Sequence, residues 1–81
     1  MKRYQLPLWN TPDFITVMME YVENGTHLTI HLPEFQWCYT YNAKELNKKE
    51  IDRDLETIFS HEEDRSEIVA HFLEYINKER L

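Results

Sequence analysis

Apolar positions in this chain follow a helical spacing up to about residue 24, a two-residue alternation through residue 41, and a helical spacing again beyond it. Thr11-Pro12-Asp13 reads as a helix start, with Thr as N-cap, Pro in the first turn and an acid beside it. Asp13, Thr16, Glu20 and Glu23 follow at spacings of three, four and three, which is one polar stripe of a helix. Phe14, Ile15, Val17, Met18, Met19, Tyr21 and Val22 fill a wide apolar remainder. Asn24-Gly25 closes the segment as a C-cap. The rival reading makes 14–23 a strand and Asn-Gly a hairpin turn. Alternation fails there, because both alternate sets are apolar, so the spacing predicts a helix over about 12–24.

From His27 the period is two. His27, Thr29 and His31 alternate with Leu28, Ile30 and Leu32. After Pro33-Glu34, the residues Phe35, Trp37, Tyr39 and Tyr41 share one face and Gln36, Cys38 and Thr40 the other. Two such runs predict an antiparallel hairpin of about 27–32 and 35–41. A hairpin alone is marginal in water and needs a covered apolar face.

Asn42 and Asn47 each have a Glu three residues on, as in a capping box, and Leu46, Ile51, Leu55, Ile58 and Phe59 mark a buried side, predicting a helix over about 44–59. Ser60 with Glu63 repeats the box ahead of a stripe of Ile68, Val69, Phe72, Leu73 and Ile76. A last helix is expected over about 61–79, with Lys78 and Arg80 suited to its C-terminal dipole. The expected class is α+β, a two-stranded antiparallel hairpin packed against three helices. Residues 1–10 read as an extended arm, since Pro7 biases Leu6 away from helix, with room for 3–8 to extend the hairpin.

With 81 residues, 42% hydrophobic and 30% charged, the chain is expected to form a single compact domain spanning 1–81, short for any further division. The lone Cys38 allows no internal disulfide. The N-terminus is basic but has no signal-peptide core, and no apolar run approaches a transmembrane span. These features favour a cytoplasmic protein with no membrane partner.

Charge sharpens the picture. Between Glu50 and Glu67 eight acids stand against Arg53 and Arg65, which accounts for the whole formal charge of −6. Such a patch focuses a field and repels nucleic acid. It therefore excludes a base-stacking role for Trp37, Tyr39 and Tyr41, and it excludes a DNA-reading role for the final helix, which would lead with Glu62, Glu63, Asp64 and Glu67.

Other chemistry is weakly signalled. His27 and His31 share a strand face with Cys38 opposite, yet four residues along a strand is about 13 Å. His61 and His71 match no ligand spacing. No metal, cofactor or catalytic residue is expected. Cys38 lies beside no feature that would lower its pKa, and Ser60 is better explained as a cap than as a nucleophile.

Eleven aromatics, four of them within 35–41, exceed what so small a core can cover, and exposed aromatics beside charge typify interface anchors. The expectation is a small acidic non-enzymatic protein that occupies and regulates a basic surface on a larger protein, as inhibitors, antitoxins, immunity proteins and anti-host factors do. Asp52, Asp54, Glu56, Glu62, Glu63, Asp64 and Glu67 would steer, while Trp37, Tyr39 or Trp9 would anchor. In its sharpest form the carboxylates stand in for DNA phosphates. The alternative is a self-associating structural or regulatory subunit, a homodimer buried through the wide apolar face of 12–23.

Overall fold

The computed structural model describes residues 2–7 and 12–80. Contacts divide it into two compact units, one running to Leu46 and the other beginning at Asn47. The first is a four-stranded antiparallel sheet: β1 (Lys2–Pro7), β2 (Phe14–Val22), β3 (His27–Leu32) and β4 (Trp37–Asn42), lying side by side in sequence order. The second holds two helices, α1 (Lys48–Leu55) and α2 (Glu62–Arg80).

This overturns the expected two-stranded hairpin with three helices. The segment predicted as a helix over 12–24 holds β2, one of the two inner strands, and Asn24-Gly25 belongs to a hairpin turn. The physical reason is instructive. Residues i and i+4 share a face in a strand as well as in a helix, so Thr16 and Glu20 fit both periods. Composition decides between them: Phe14, Ile15, Thr16, Val17, Tyr21 and Val22 are β-branched or aromatic and suit a pleated surface. Ile15, Val17 and Met19 are buried, whereas Phe14, Met18 and Val22 lie on the other face and blur the alternation.

At the turn, Glu23, Asn24 and Gly25 all carry positive φ, at 52°, 60° and 84°. Gly25 N–H donates to the Val22 carbonyl at 3.1 Å and Thr26 N–H to the Glu23 carbonyl at 3.2 Å. Glu23 also reaches His27 Nδ1 at 2.8 Å. These local bonds hold two non-glycine residues in a conformation they seldom adopt.

β1 pairs with β2 from Lys2↔Met19 to Pro7↔Phe14, so residues 2–7 of the expected arm form a strand of the sheet. Leu6, Ile15, Val17, Met19, Leu28, Ile30, Leu32, Trp37 and Tyr41 are buried on one face of the sheet. The opposite face carries Arg3, Gln5, Thr16, Glu20, His27, Thr29, His31, Cys38 and Thr40, where Thr29 and Thr40 hydroxyls meet at 2.9 Å.

Between β3 and β4 the chain makes one 3₁₀ turn, Pro33–Phe35, instead of starting the strand at residue 35. Gln36 closes it in the left-handed region, at φ 52°. This turn has a structural use. β2 runs past the end of β3, so the Thr16 N–H would face no strand partner. The Glu34 carboxylate accepts it instead, at 3.1 and 3.3 Å.

Of the two candidate Asn caps, Asn47 starts a helix and Asn42 does not. Asn42 Oδ1 accepts from the backbone N–H groups of Lys44 and Glu45 and turns the chain out of β4. Asn47 Oδ1 accepts from Lys49 N–H at 2.9 Å and is the N-cap of α1. That helix is therefore shorter than the expected 44–59. It ends at Leu55, where the Thr57 hydroxyl donates to the Asp54 carbonyl at 3.0 Å and competes with further helix. The final helix agrees with the expected 61–79 to within a residue, beginning at Glu62 with His61 accepting its first bond from Arg65 N–H. Ile51 and Leu55 of α1 and Ile68, Val69, Phe72, Tyr75 and Ile76 of α2 are buried.

Candidate functional site

Among the described residues the acidic run lies wholly in the helical unit, and one buried base organises it. Arg65 is 8% exposed. Its Nε donates to Asp52 Oδ1 at 3.0 Å, and Nη1 donates to the carbonyls of Phe59 and Ser60, each at 3.0 Å. A guanidinium is suited to this work because its planar fork satisfies several acceptors at fixed angles. The residue thus ties α1, the connecting loop and the first turn of α2 together. Ser60 takes part through its carbonyl.

The acids divide by environment. Asp52, with its side chain 35% exposed, is committed to Arg65. Asp54 is 14% exposed and stands 3.6 Å from Arg53 Nε. Asp64 is half-buried, whereas Glu56, Glu62, Glu63 and Glu67 are exposed. Glu62, Glu63 and Asp64 occupy the first turn of α2, where the helix dipole favours negative charge. Glu63, Glu67 and Glu74 recur at spacings of four and seven, so they form one exposed stripe opposite the buried Ile68, Phe72 and Ile76. Sequence reasoning stopped at Glu67 and missed Glu74; continuing the same helical period would have found it. Glu74 lies 3.7 Å from Lys78 Nζ. Burial and the neighbouring Glu74 charge push the Tyr75 phenol above its ordinary pKa.

The expected aromatic anchors fall in two environments. Trp37, Tyr39 and Tyr41 form a row on the apolar face of β4, with ring centroids 4.9 Å apart for Trp37–Tyr39 and 6.4 Å for Tyr39–Tyr41. Trp37 and Tyr41 are buried at 3% and 4%, whereas Tyr39 is 39% exposed. Only Tyr39 of this row offers an open ring surface. Phe14 and Phe35 are also exposed. Trp9, the third candidate anchor, lies outside the described residues.

An open groove of about 370 Å³ runs between α1 and α2. Val69, Ala70 and Leu73 form its apolar wall, and Lys48, Lys49 and Asp52 line the other side. Its lining includes Ser66 but no histidine or cysteine. His31 lies directly opposite Cys38 across the β3–β4 ladder, while His27 Nδ1 is engaged by Thr26 and Glu23. Among the described residues no group of three or more His, Cys, Asp or Glu is arranged to hold a metal ion. No helix among them is long and apolar enough to cross a membrane.

Burial raises the Glu34 carboxyl pKa. Hydrogen bonds from the Thr16 side chain and backbone, and from Glu34's own N–H, together outweigh it and hold the group below the ordinary carboxylate range. Among the described residues Tyr21 Oη is the buried side-chain polar atom without a hydrogen-bond partner. Comparison with family models, with curated proteins and with solved structures finds no match to this chain.

Proposed function

We propose that this protein is a small acidic binder that docks on, and thereby inhibits or regulates, a basic surface of a larger protein. The observation that carries the reading is the division among the acids. Asp52 and Asp54 are engaged by Arg65 and Arg53, yet Glu56, Glu62, Glu63 and Glu67 remain exposed and close in sequence on the helical unit. A group of like charges held on a rigid element raises the local potential and accelerates encounter with a surface of opposite sign. The mechanism needs no chemical step: the carboxylates of the helical unit steer and orient the partner's basic surface.

Affinity capture from an extract of the native source tests this, using the wild-type chain and a variant with Glu56, Glu62, Glu63 and Glu67 replaced by Gln. Wild type is expected to retain one basic protein in stoichiometric amount, insensitive to nuclease and released by salt. The variant should lose it while keeping the same thermal midpoint. Equal retention by both chains, or retention of nothing beyond the bait, rejects the reading.

A further inference from the structure

The two edges of the sheet are built differently. β1 is guarded: Lys2 and Arg3 are charged, and Pro7 has no N–H to offer. Charge and proline on an outer strand are the ordinary means of stopping edge-to-edge pairing. β4 has neither. Its sequence, Trp37–Asn42, carries no charge and no proline, in a chain that is 30% charged, and its register with β3 is unbroken from Leu32↔Trp37 to His27↔Asn42. Among the described residues no strand pairs with its outer side.

The phase of the β3–β4 ladder shows which groups point outward. Ala43 N–H donates to the Thr26 carbonyl at 2.9 Å. In an antiparallel ladder, bonded and non-bonded pairs alternate. The bonded pairs are therefore those of Trp37, Tyr39 and Tyr41 with β3. Cys38, Thr40 and Asn42 direct their backbone N–H and C=O groups away from the sheet. The Asn42 carbonyl is taken by Glu45 N–H at 3.3 Å. The open edge is thus the peptide groups of Cys38 and Thr40, and both residues are exposed.

We propose that this edge pairs with a second copy of the same chain, antiparallel across a two-fold axis at Tyr39, joining two four-stranded sheets into one of eight strands. The occupant is argued from self-complementarity. A two-fold axis at Tyr39 sets Cys38 opposite Thr40 of the second copy, and the reverse, so two donors and two acceptors on each edge are satisfied by four hydrogen bonds. Tyr39 then faces its own counterpart, whereas Trp37 and Tyr41 are already buried within each copy. An aromatic cross-strand pair such as Tyr39 with its counterpart is favourable in sheets. No charge meets its like, because β4 carries none. Isologous contact about a two-fold axis is also the common way that identical chains associate. The 39% of Tyr39 that is exposed is the surface such a contact would cover.

Three readouts test the proposal together. Sedimentation velocity of the wild type should show the mass double as concentration rises, and amide exchange at Cys38 and Thr40 should slow over the same range. Tyr39→Lys and Tyr39→Glu should each stay monomeric, since like charges would meet at the axis, and their equimolar mixture should recover the dimer. Circular dichroism identifies any variant that fails to fold. In that case Thr40→Lys, an exposed position on the polar face, replaces it and should also weaken pairing. A wild type that remains monomeric at the highest concentration, or a dimer whose Cys38 and Thr40 amides exchange as fast as in the monomer, overturns the proposal. A dimer unaffected by Tyr39→Lys overturns it equally.

Discussion

Replacing Arg65 with Ala probes the contact on which the helical unit depends. The side chain is 9% exposed and makes three hydrogen bonds of 3.0 Å, one to the Asp52 carboxylate and two to loop carbonyls. Hydrogen bonds to a charged group contribute about 1.5–3 kcal/mol each, and the three do not add fully because they share one side chain. Asp52 is 35% exposed, so solvent screens its share of the attraction. Taken together, the loss should be about 3 kcal/mol, against a total stability of roughly 4–12 kcal/mol for a domain of this size. At about 4–8 °C per kcal/mol, the thermal midpoint should fall by about 12–24 °C. Urea unfolding followed by circular dichroism measures it, with an unchanged slope confirming that the folded state is the same. Arg65→Lys should recover less than half of the loss, because an ammonium cannot match the planar fork. Asp52→Asn should cost only about 1 kcal/mol, since the amide oxygen still accepts from Nε. An Arg65→Ala loss below about 1 kcal/mol would refute the reasoning, and so would an Asp52→Asn loss equal to that of Arg65→Ala.

Other positions give independent tests. Glu34→Gln should destabilise the sheet near neutral pH and progressively less in acid. The folded-state pKa is depressed, so the wild-type carboxylate's contribution is present above the unfolded pKa and is lost as pH falls through the folded one; pH-dependent urea midpoints of the two proteins should converge at low pH. Gly25→Ala should cost about 1 kcal/mol in thermal melts, because φ is +84° while no atom lies within 4 Å of the added carbon, so the loss is one of backbone conformation alone. Tyr21→Phe should be neutral or stabilising by up to about 1 kcal/mol, since it removes a buried hydroxyl that has no partner. A clear loss there would mean that the hydroxyl is satisfied.

The helical half of the fold was largely legible in the sequence. Ile68, Val69, Phe72 and Ile76 make a stripe that only a helix explains, whereas α1, expected over 44–59, runs from Lys48 to Leu55 behind Asn47, one of two Asn caps that the spacing left open. The strand 27–32 was legible from a clean period of two, whereas the strand expected over 35–41 begins only at Trp37, after the 3₁₀ turn Pro33–Phe35. β2 was not. As an inner strand of the sheet it carries apolar residues on both faces, and the spacing from Thr16 to Glu20 satisfies a helix and a strand alike. Its β-branched and aromatic content, with Asn-Gly after it, held the missing information.

The candidate site was legible as a charge excess but not as a surface. Formal charge counts Asp52 and Asp54 equally with Glu63 and Glu67, and only the fold commits the first two to Arg65 and Arg53. Spacing likewise put Trp37 and Tyr39 on one strand face, yet burial separates a covered indole from an open phenol.

The most direct test of the acidic-surface account is the association rate of the captured partner as a function of ionic strength, measured for wild type and for the variant with Glu56, Glu62, Glu63 and Glu67 changed to Gln. The wild-type rate should fall by roughly tenfold or more between low and physiological salt, as steered encounters do. The variant should associate slowly throughout, with a nearly flat dependence. Equal rates and equal salt slopes for the two chains would contradict the account.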